Sequence, residues 1–327
     1  MTPSIDLSDP GAHRDRIPDF LIVGHPKCGT TALYEMLRSH PEIHMPDRKE
    51  PWFFAEELHE FMPPRPGGTP RTVAEYAEWF TGAAPGQKIG EASPFYLWST
   101  TAAANIAQVI PDARIIAILR EPASFLHSLH LQLLELYIEV ETDLRRATDL
   151  EHERRQGRSV PRYTYWPQLL LYSDYIRYVE QLQRFHAVFP SEQVKIIIYD
   201  DLRADNEAAV RDVRRFLDVD DSLPVDRVQA NPTVAARSQK VNELVHAVGV
   251  GRGPVSHTVK EMIKAVTPAG PRRRALHAFK RQVVFGPPPE PDEEVLHELR
   301  VRYKDQVIAL SEYLNRDLVA LWGYDQL

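Results

Sequence analysis

The chain has 327 residues, 43% of them apolar and 26% charged, which calls for a folded protein with a sizeable core and excludes a disordered or collagen-like chain. Its net charge of −7 excludes nucleic-acid binding held by bulk charge. The single cysteine, Cys28, excludes an intrachain disulfide and a cysteine-built zinc site, and it suits the reducing cytoplasm where we expect the protein.

Residues 1–17 are polar, lack the apolar run of a signal peptide, and read as a flexible tail before one domain spanning 18–327. No window approaches the roughly 18 apolar residues that a membrane span needs. Phe20, Leu21, Ile22 and Val23 form a short apolar run between Asp19 and Gly24, the pattern of a buried strand. Residues 30–39 read as a helix with Leu33, Met36 and Leu37 on one face, stopped by Pro41. A Pro/Gly loop at 61–70 precedes a short helix over 72–80, with Val73, Tyr76, Ala77 and Phe80 inward. Lys88, Ile89 and Gly90 lead through Glu91, Ala92, Ser93 and Pro94 from strand to loop, and 101–109 is helical. The stretch RIIAIL at 114–119 is the clearest buried strand.

Helices are expected at 124–137 and 143–157, the second so densely charged that solvent should cover most of it. One amphipathic helix is expected over 172–189, a buried strand over 194–199, a helix over 207–217, and one long helix or two over 293–321. Strands alternating with helices predict an α/β fold, a central parallel sheet flanked by helices. Residues 249–292, richer in Pro, Gly and Arg, read as an insertion or lid.

Between the first strand and the first helix stand Gly24, His25, Pro26, Lys27, Cys28, Gly29, Thr30 and Thr31. A loop in that position aims backbone N–H groups at an anion, and the helix dipole favours negative charge there. Gly29 allows close approach, and the Thr30 and Thr31 hydroxyls can donate. A triphosphate-binding loop has its lysine directly after the second glycine. Here Thr30 takes that slot and Lys27 lies two residues before Gly29, placed for the bridging oxygen of a phosphate bonded to sulfate.

PxKxGTT after an apolar strand resembles the 5′-phosphosulfate loop of sulfotransferases that use 3′-phosphoadenosine 5′-phosphosulfate (PAPS), most nearly the heparan-sulfate-type and bacterial branch. The resemblance covers about 18–240 and a last helix ending at Trp322. It implies a phosphate-loop, nucleotide-kinase-like architecture, PAPS as co-substrate, 3′,5′-adenosine bisphosphate (PAP) as product, and no required metal. It assigns donor binding to Lys27, Cys28, Gly29, Thr30, Thr31 and Ala32. It also assigns the donor's 3′-phosphate to Arg120, at the end of the strand 114–119, and to Ser128, eight residues later. Arg offers a planar, always charged fork for a phosphate. Tyr172, opening a later helix, contributes to the donor site by the same resemblance, and Arg237 reaches the 3′-phosphate from the other side.

Transfer also needs a base for the acceptor proton. His40, Pro41, Glu42 and Ile43, followed by Lys49, Glu50, Pro51, Trp52, Phe53 and Phe54, resemble the family's HP-x-I … KE-x-H-F-F motif. That makes Glu50 the base, with Lys49 as a second cation beside Lys27. His25 is the rival base, while His127 and His130 read as helix-face residues. Trp52 stands where the carbohydrate enzymes have His, and Ala92 where the family's E-K-S/T-P-x-Y segment has Lys. Trp52, Phe53 and Phe54 either favour a less charged acceptor or belong to the core.

The stretch 251–285 holds eight Lys and Arg against one acid, Glu261, and suits an anionic acceptor or peripheral contact with a membrane surface, or a solvated basic hairpin. The expected activity is transfer of a sulfuryl group to a hydroxyl or amine of a carbohydrate, lipid or small molecule. A small-molecule kinase using magnesium ATP and a non-catalytic nucleotide-binding protein are the alternatives. Acceptor identity and oligomeric state are not legible in the sequence.

Overall fold

Five parallel strands form the central sheet of the computed structural model: β1 (Phe20–Gly24), β2 (Ile43–His44), β3 (Lys88–Ala92), β4 (Arg114–Leu119) and β5 (Val194–Ile198), in the order β2-β3-β1-β4-β5. The structure describes residues 5–59, 68–162, 164, 166–225 and 290–327, with the two-residue strands β6 (Ala235–Ala236) and β7 (Phe285–Gly286). Arg237, most of the expected Pro/Gly loop, and nearly all of 249–292 and its basic stretch lie outside the described residues.

The chain divides into two compact units. One comprises Met1–Phe125, Asp174–Asn231 and Arg300–Leu327, and the other Leu126–Ser173 and Pro232–Leu299. The first holds the whole sheet. β1 pairs with β3 on one side and β4 on the other, so the chain leaves β1 in one direction and returns for β4 in the opposite one. A strand at such a reversal opens a crevice at its carboxyl end, the usual ligand position in open α/β sheets. β1 is buried at all five positions, and Ile115, Ile116, Ala117, Ile118 and Leu119 of β4 are wholly buried, as apolar runs covered on both faces must be. Each such Ile or Leu contributes about 1.5–3 kcal/mol of burial.

Helix α1 (Thr30–Arg38) follows β1, and its expected face Leu33, Met36 and Leu37 is buried. α2 (Val73–Ala77) continues into a 3₁₀ turn over Glu78–Phe80, burying Val73, Tyr76, Ala77 and Phe80 as expected. α3 (Ala102–Val109) and α4 (Pro122–Glu135) flank β4 in the chain. The expected charged helix is two, α5 (Leu144–Asp149) and α6 (Glu151–Arg155), solvated on most sides as expected, with Leu144, Ala147, Thr148 and Arg154 buried on one face. Arg154 is buried because Glu139 meets it at 2.7 Å.

The single amphipathic helix expected over 172–189 is also broken, into α7 (Tyr172–Tyr175) and α8 (Tyr178–His186). Gln181 is the physical reason within the first unit. Its buried amide donates to the Asp174 and Tyr175 carbonyls (2.9 and 3.3 Å), replacing bonds that a continuous helix would supply. β5 ends one residue short of the expected 199, because α9 (Tyr199–Ala204) starts there, and α10 (Asn206–Phe216) follows. The C-terminal region forms α11 (Glu293–Tyr313) and α12 (Leu318–Leu321). It is tied down by Arg316 on both Asp201 oxygens (2.6 and 2.8 Å) and by Trp322 Nε1 donating to Asp200 (3.0 Å).

Candidate functional site

The loop from β1 to α1 turns through left-handed backbone at Lys27 (φ 62°) and Gly29 (φ 85°). A Cβ on Gly29 would stand 3.2 Å from both Leu202 and the Tyr199 ring, so the position wants glycine for conformation and for space. Gly24 has the tighter constraint, since a Cβ there would fall 2.4 Å from Leu97 Cβ. Gly29 caps α1, and the first turn of that helix presents Thr30, Thr31 and Ala32, with N–H groups that have no partner within the helix. Cys28 is wholly buried, its N–H bonds the His25 carbonyl at 3.3 Å, and burial pushes its thiol up to about 12. Its sulfur is therefore a packing atom rather than a nucleophile.

Cations gather around this loop. Arg120 leaves the carboxyl end of β4, donates to the Lys27 carbonyl (3.3 Å) and lies 4.9 Å over the Tyr199 ring. Lys49 Nζ donates to Thr31 Oγ1 (3.1 Å) and stands 4.7 Å from the Tyr34 ring centre. Burial pulls the Lys49 ammonium below the ordinary lysine value, and the Glu50 and Glu35 charges act in the opposite direction. Lys27, Lys49, Arg120 and the positive end of α1 thus share one neighbourhood at the carboxyl edge of the sheet. Like charges collected this way repel unless an anion sits among them.

Tyr199 was missed in the sequence because it read as the last residue of a strand. The available signal was positional: it follows β5 directly, as Arg120 follows β4, and both sites lie on the same sheet edge.

Glu50 adjoins Lys49 on a half-buried segment held against the end of β3. Glu50 N–H donates to the Ala92 carbonyl (3.2 Å), and Trp52 N–H donates to Ser93 Oγ (3.4 Å). Phe53 and Phe54 are wholly buried, with ring centres 4.7 and 5.1 Å from Tyr76, so they belong to the core and do not line an acceptor cleft. Trp52 is nearly buried and meets Phe95 edge-on at 6.4 Å.

Glu91, unassigned in the sequence, is wholly buried and accepts from the Tyr76 hydroxyl at 2.7 Å. Burial raises its carboxyl to about 7, against the Ser93, Tyr76 and Tyr96 hydroxyls that lower it. The rival base His25 is wholly buried among Phe125, Tyr175 and Tyr178, with Nε2 paired to Gln181 at 2.6 Å. Burial lowers it to about 4, which leaves it a weak base walled in by rings.

In the second unit, Ser128 is buried and its hydroxyl has no hydrogen-bond partner among the described residues. A buried orphan of this kind fits an anion-binding role. Tyr172 behaves otherwise. It is wholly buried, and its hydroxyl is engaged with His130 Nδ1 (2.8 Å) and Glu139 (3.2 Å), the latter in an ion pair with Arg154. His130 also reaches the Thr142 carbonyl (3.3 Å) and is lowered by burial, so it is a network residue rather than an exposed helix-face one.

Residues 17–246, more than half of the chain, match the sulfotransferase domain family. The chain is similar to the membrane-associated sulfotransferase kil1 of Dictyostelium discoideum, 24% identical with 62% of this chain and 56% of that protein covered. It is also similar to human heparan sulfate glucosamine 3-O-sulfotransferase 6, 33% identical with 37% of this chain and 32% of that protein covered. The chain therefore spans just over half the length of the first and a third of the second. Among solved structures, a sulfotransferase from Alicyclobacillus acidocaldarius superposes with a TM-score of 0.65 at 26% identity, over 93% of this chain and 98% of that one. Sheet order, the glycine-turned loop and the extent of these matches lead to one conclusion: the chain belongs to the sulfotransferase family.

Proposed function

We propose that this chain transfers a sulfuryl group from PAPS to a hydroxyl or amine of a carbohydrate, lipid or small-molecule acceptor. The observation that carries the reading is the convergence of Arg120 and Lys49 on the two ends of the loop, at the Lys27 carbonyl and the Thr31 hydroxyl. A donor with a 5′-phosphosulfate and a 3′-phosphate supplies the anionic charge that such a cluster requires.

In this reading, the N–H groups at the start of α1, with Thr30 and Thr31, hold the 5′-phosphosulfate. Lys27 offsets charge growing on the oxygen that stays with the phosphate, and Lys49 faces the sulfonate. Glu50 takes the proton from the acceptor as the new bond to sulfur forms and the old one breaks. Arg120 binds the 3′-phosphate, and motif spacing gives Ser128 the same duty. Because the protein's own cations neutralise the donor, binding needs no metal. The lone buried cysteine supports a cytoplasmic location. No described helix is long and apolar enough to cross a membrane.

Calorimetric titration with PAP in magnesium-free buffer tests the reading. The wild type should bind, and Arg120→Ala should bind about 10- to 100-fold more weakly, the loss expected for a charge-assisted phosphate contact. Unchanged binding in Arg120→Ala would falsify the donor assignment. Magnesium-dependent ATP binding without PAP binding would favour a kinase.

A further inference from the structure

β4 and β5 lie side by side, and their ladder ends at the pair Leu119 and Ile198. Beyond that pair, backbone pairing no longer sets the spacing of the two chains. Arg120 follows on one side and Tyr199 on the other, and the Arg120 guanidinium lies 4.9 Å over the Tyr199 ring. Its bond to the Lys27 carbonyl is long, at 3.3 Å. A long bond and a ring contact fix a guanidinium loosely, so its position follows that of the two strand ends.

The next residue on each side is acidic, and one turn of the C-terminal region holds both. Trp322 Nε1 donates to Asp200 Oδ2 (3.0 Å), and the Tyr324 hydroxyl donates to Glu121 Oε1 (2.6 Å). Gly323 between them takes left-handed backbone (φ 74°), a conformation glycine adopts freely. Tyr324 is wholly buried and Glu121 nearly so, which shields their bond from water. Glu121 also accepts from the Ala123 N–H (2.9 Å), the Ser124 N–H (2.7 Å) and the Ser124 hydroxyl (2.6 Å). Those donors belong to the first turn of α4, next in the chain, so they move with Glu121 and do not hold it against β5. Arg300 Nε, at 3.8 Å from Glu121, is too far for a hydrogen bond. Tyr178 donates to the Arg120 carbonyl (3.0 Å) and ties the corner to α8. Tyr324 ties it to the segment that grips α9, through Trp322 on Asp200 and Arg316 on both Asp201 oxygens.

We infer that Tyr324 is a positioning residue for Arg120: its bond to Glu121, together with that of Trp322 to Asp200, clasps the ends of β4 and β5 and keeps the Arg120 guanidinium on the Tyr199 ring. The inference rests on Arg120 as the 3′-phosphate ligand proposed above. Tyr324 acts through Glu121 and not on the donor itself. Loss of its hydroxyl leaves the ring in the core and frees the corner that carries Arg120, and a charge-assisted phosphate bond weakens steeply when its donor is displaced.

Calorimetry of the full chain with two ligands tests this: PAP, and adenosine 5′-phosphate, which lacks the 3′-phosphate. The wild type should prefer PAP, and Arg120→Ala should lose most of that preference. Tyr324→Phe should bind PAP about five- to tenfold more weakly, with adenosine 5′-phosphate within about twofold of the wild type. Added to Arg120→Ala, the same substitution should change PAP affinity by less than about twofold, because the two residues act as one unit. Three results overturn the proposal: wild-type preference in Tyr324→Phe, equal weakening toward both ligands, or an undiminished effect of Tyr324→Phe once Arg120 is gone. Should Tyr324→Phe fail to fold, Trp322→Phe, which removes the Asp200 bond, decides by the same readings. A wild type without preference for PAP, or an Arg120→Ala that keeps it, overturns the donor assignment instead. A preference that depends on Arg120 and is untouched in Tyr324→Phe overturns the Tyr324 role alone.

Discussion

Glu91 in the first unit and Glu139 in the second are both wholly buried carboxylates, and they are kept by opposite means. Glu139 meets Arg154 at 2.7 Å and also accepts from the Val140 and Glu141 N–H groups and the Tyr172 hydroxyl. Glu91 accepts from the Tyr76 hydroxyl at 2.7 Å, and its Oε1 has no hydrogen-bond partner among the described residues. An opposite charge offsets the loss of hydration directly, whereas hydroxyl dipoles offset only part of it. The first arrangement is a structural rivet. The second leaves a carboxyl raised to about 7, able to change state near neutrality at the foot of the segment that carries Glu50.

The sharpest way to break this comparison is to remove one partner of the ion pair. Glu139→Gln or Arg154→Met should cost about 3–5 kcal/mol, because a buried charge is left without its counterpart. Urea denaturation at pH 7 measures it, and a cost below about 1 kcal/mol would make the pair dispensable.

Glu91→Gln should behave differently, through pH. Its folded value of about 7 lies above the ordinary 4.5, so the ionised carboxyl opposes folding above pH 7 and the effect disappears below the unfolded value. Wild-type stability should fall as pH rises from 4.5 toward 7 by up to about 3 kcal/mol from this group. The stability of Glu91→Gln relative to wild type should therefore improve by that amount between pH 5 and pH 8. Melts that run parallel across this range would show that Glu91 is not the titrating group.

Smaller effects separate the hydroxyls. Tyr76→Phe should cost about 1.5–3 kcal/mol at pH 8 and less at pH 5, since its bond strengthens when Glu91 is charged. Tyr172→Phe should cost about 1 kcal/mol at pH 7, because Arg154 already carries most of the burden at Glu139. A Tyr172→Phe loss as large as that of Glu139→Gln would show that the hydroxyl, not the guanidinium, retains the carboxylate.

The donor side was the more legible half. A short apolar run, a glycine at the turn and a helix start are adjacent in the chain, so periodicity and residue type identify β1, the loop and α1 without knowledge of neighbours. Arg120 was legible because it ends an unmistakable buried strand. The helix break between Tyr175 and Tyr178 was not, since its cause, the Gln181 side chain bonding back to two carbonyls, competes with a good helical pattern. Phe53 and Phe54 were open between acceptor contact and core, and only Tyr76, more than twenty residues away, decides for the core by packing on them.

The sequence by itself determined the strand, the glycine-turned loop that carries Lys27, and the helix that follows, because those signals act over a few bonds. Only the tertiary structure decided which charges meet there and which carboxylates are sealed from water. Arg120 reaches the Lys27 carbonyl across the sheet edge, Lys49 reaches Thr31, and Glu91 is sealed from water beside the Tyr76 hydroxyl. Burial and charge pairing depend on residues distant in the chain, and no local pattern encodes them.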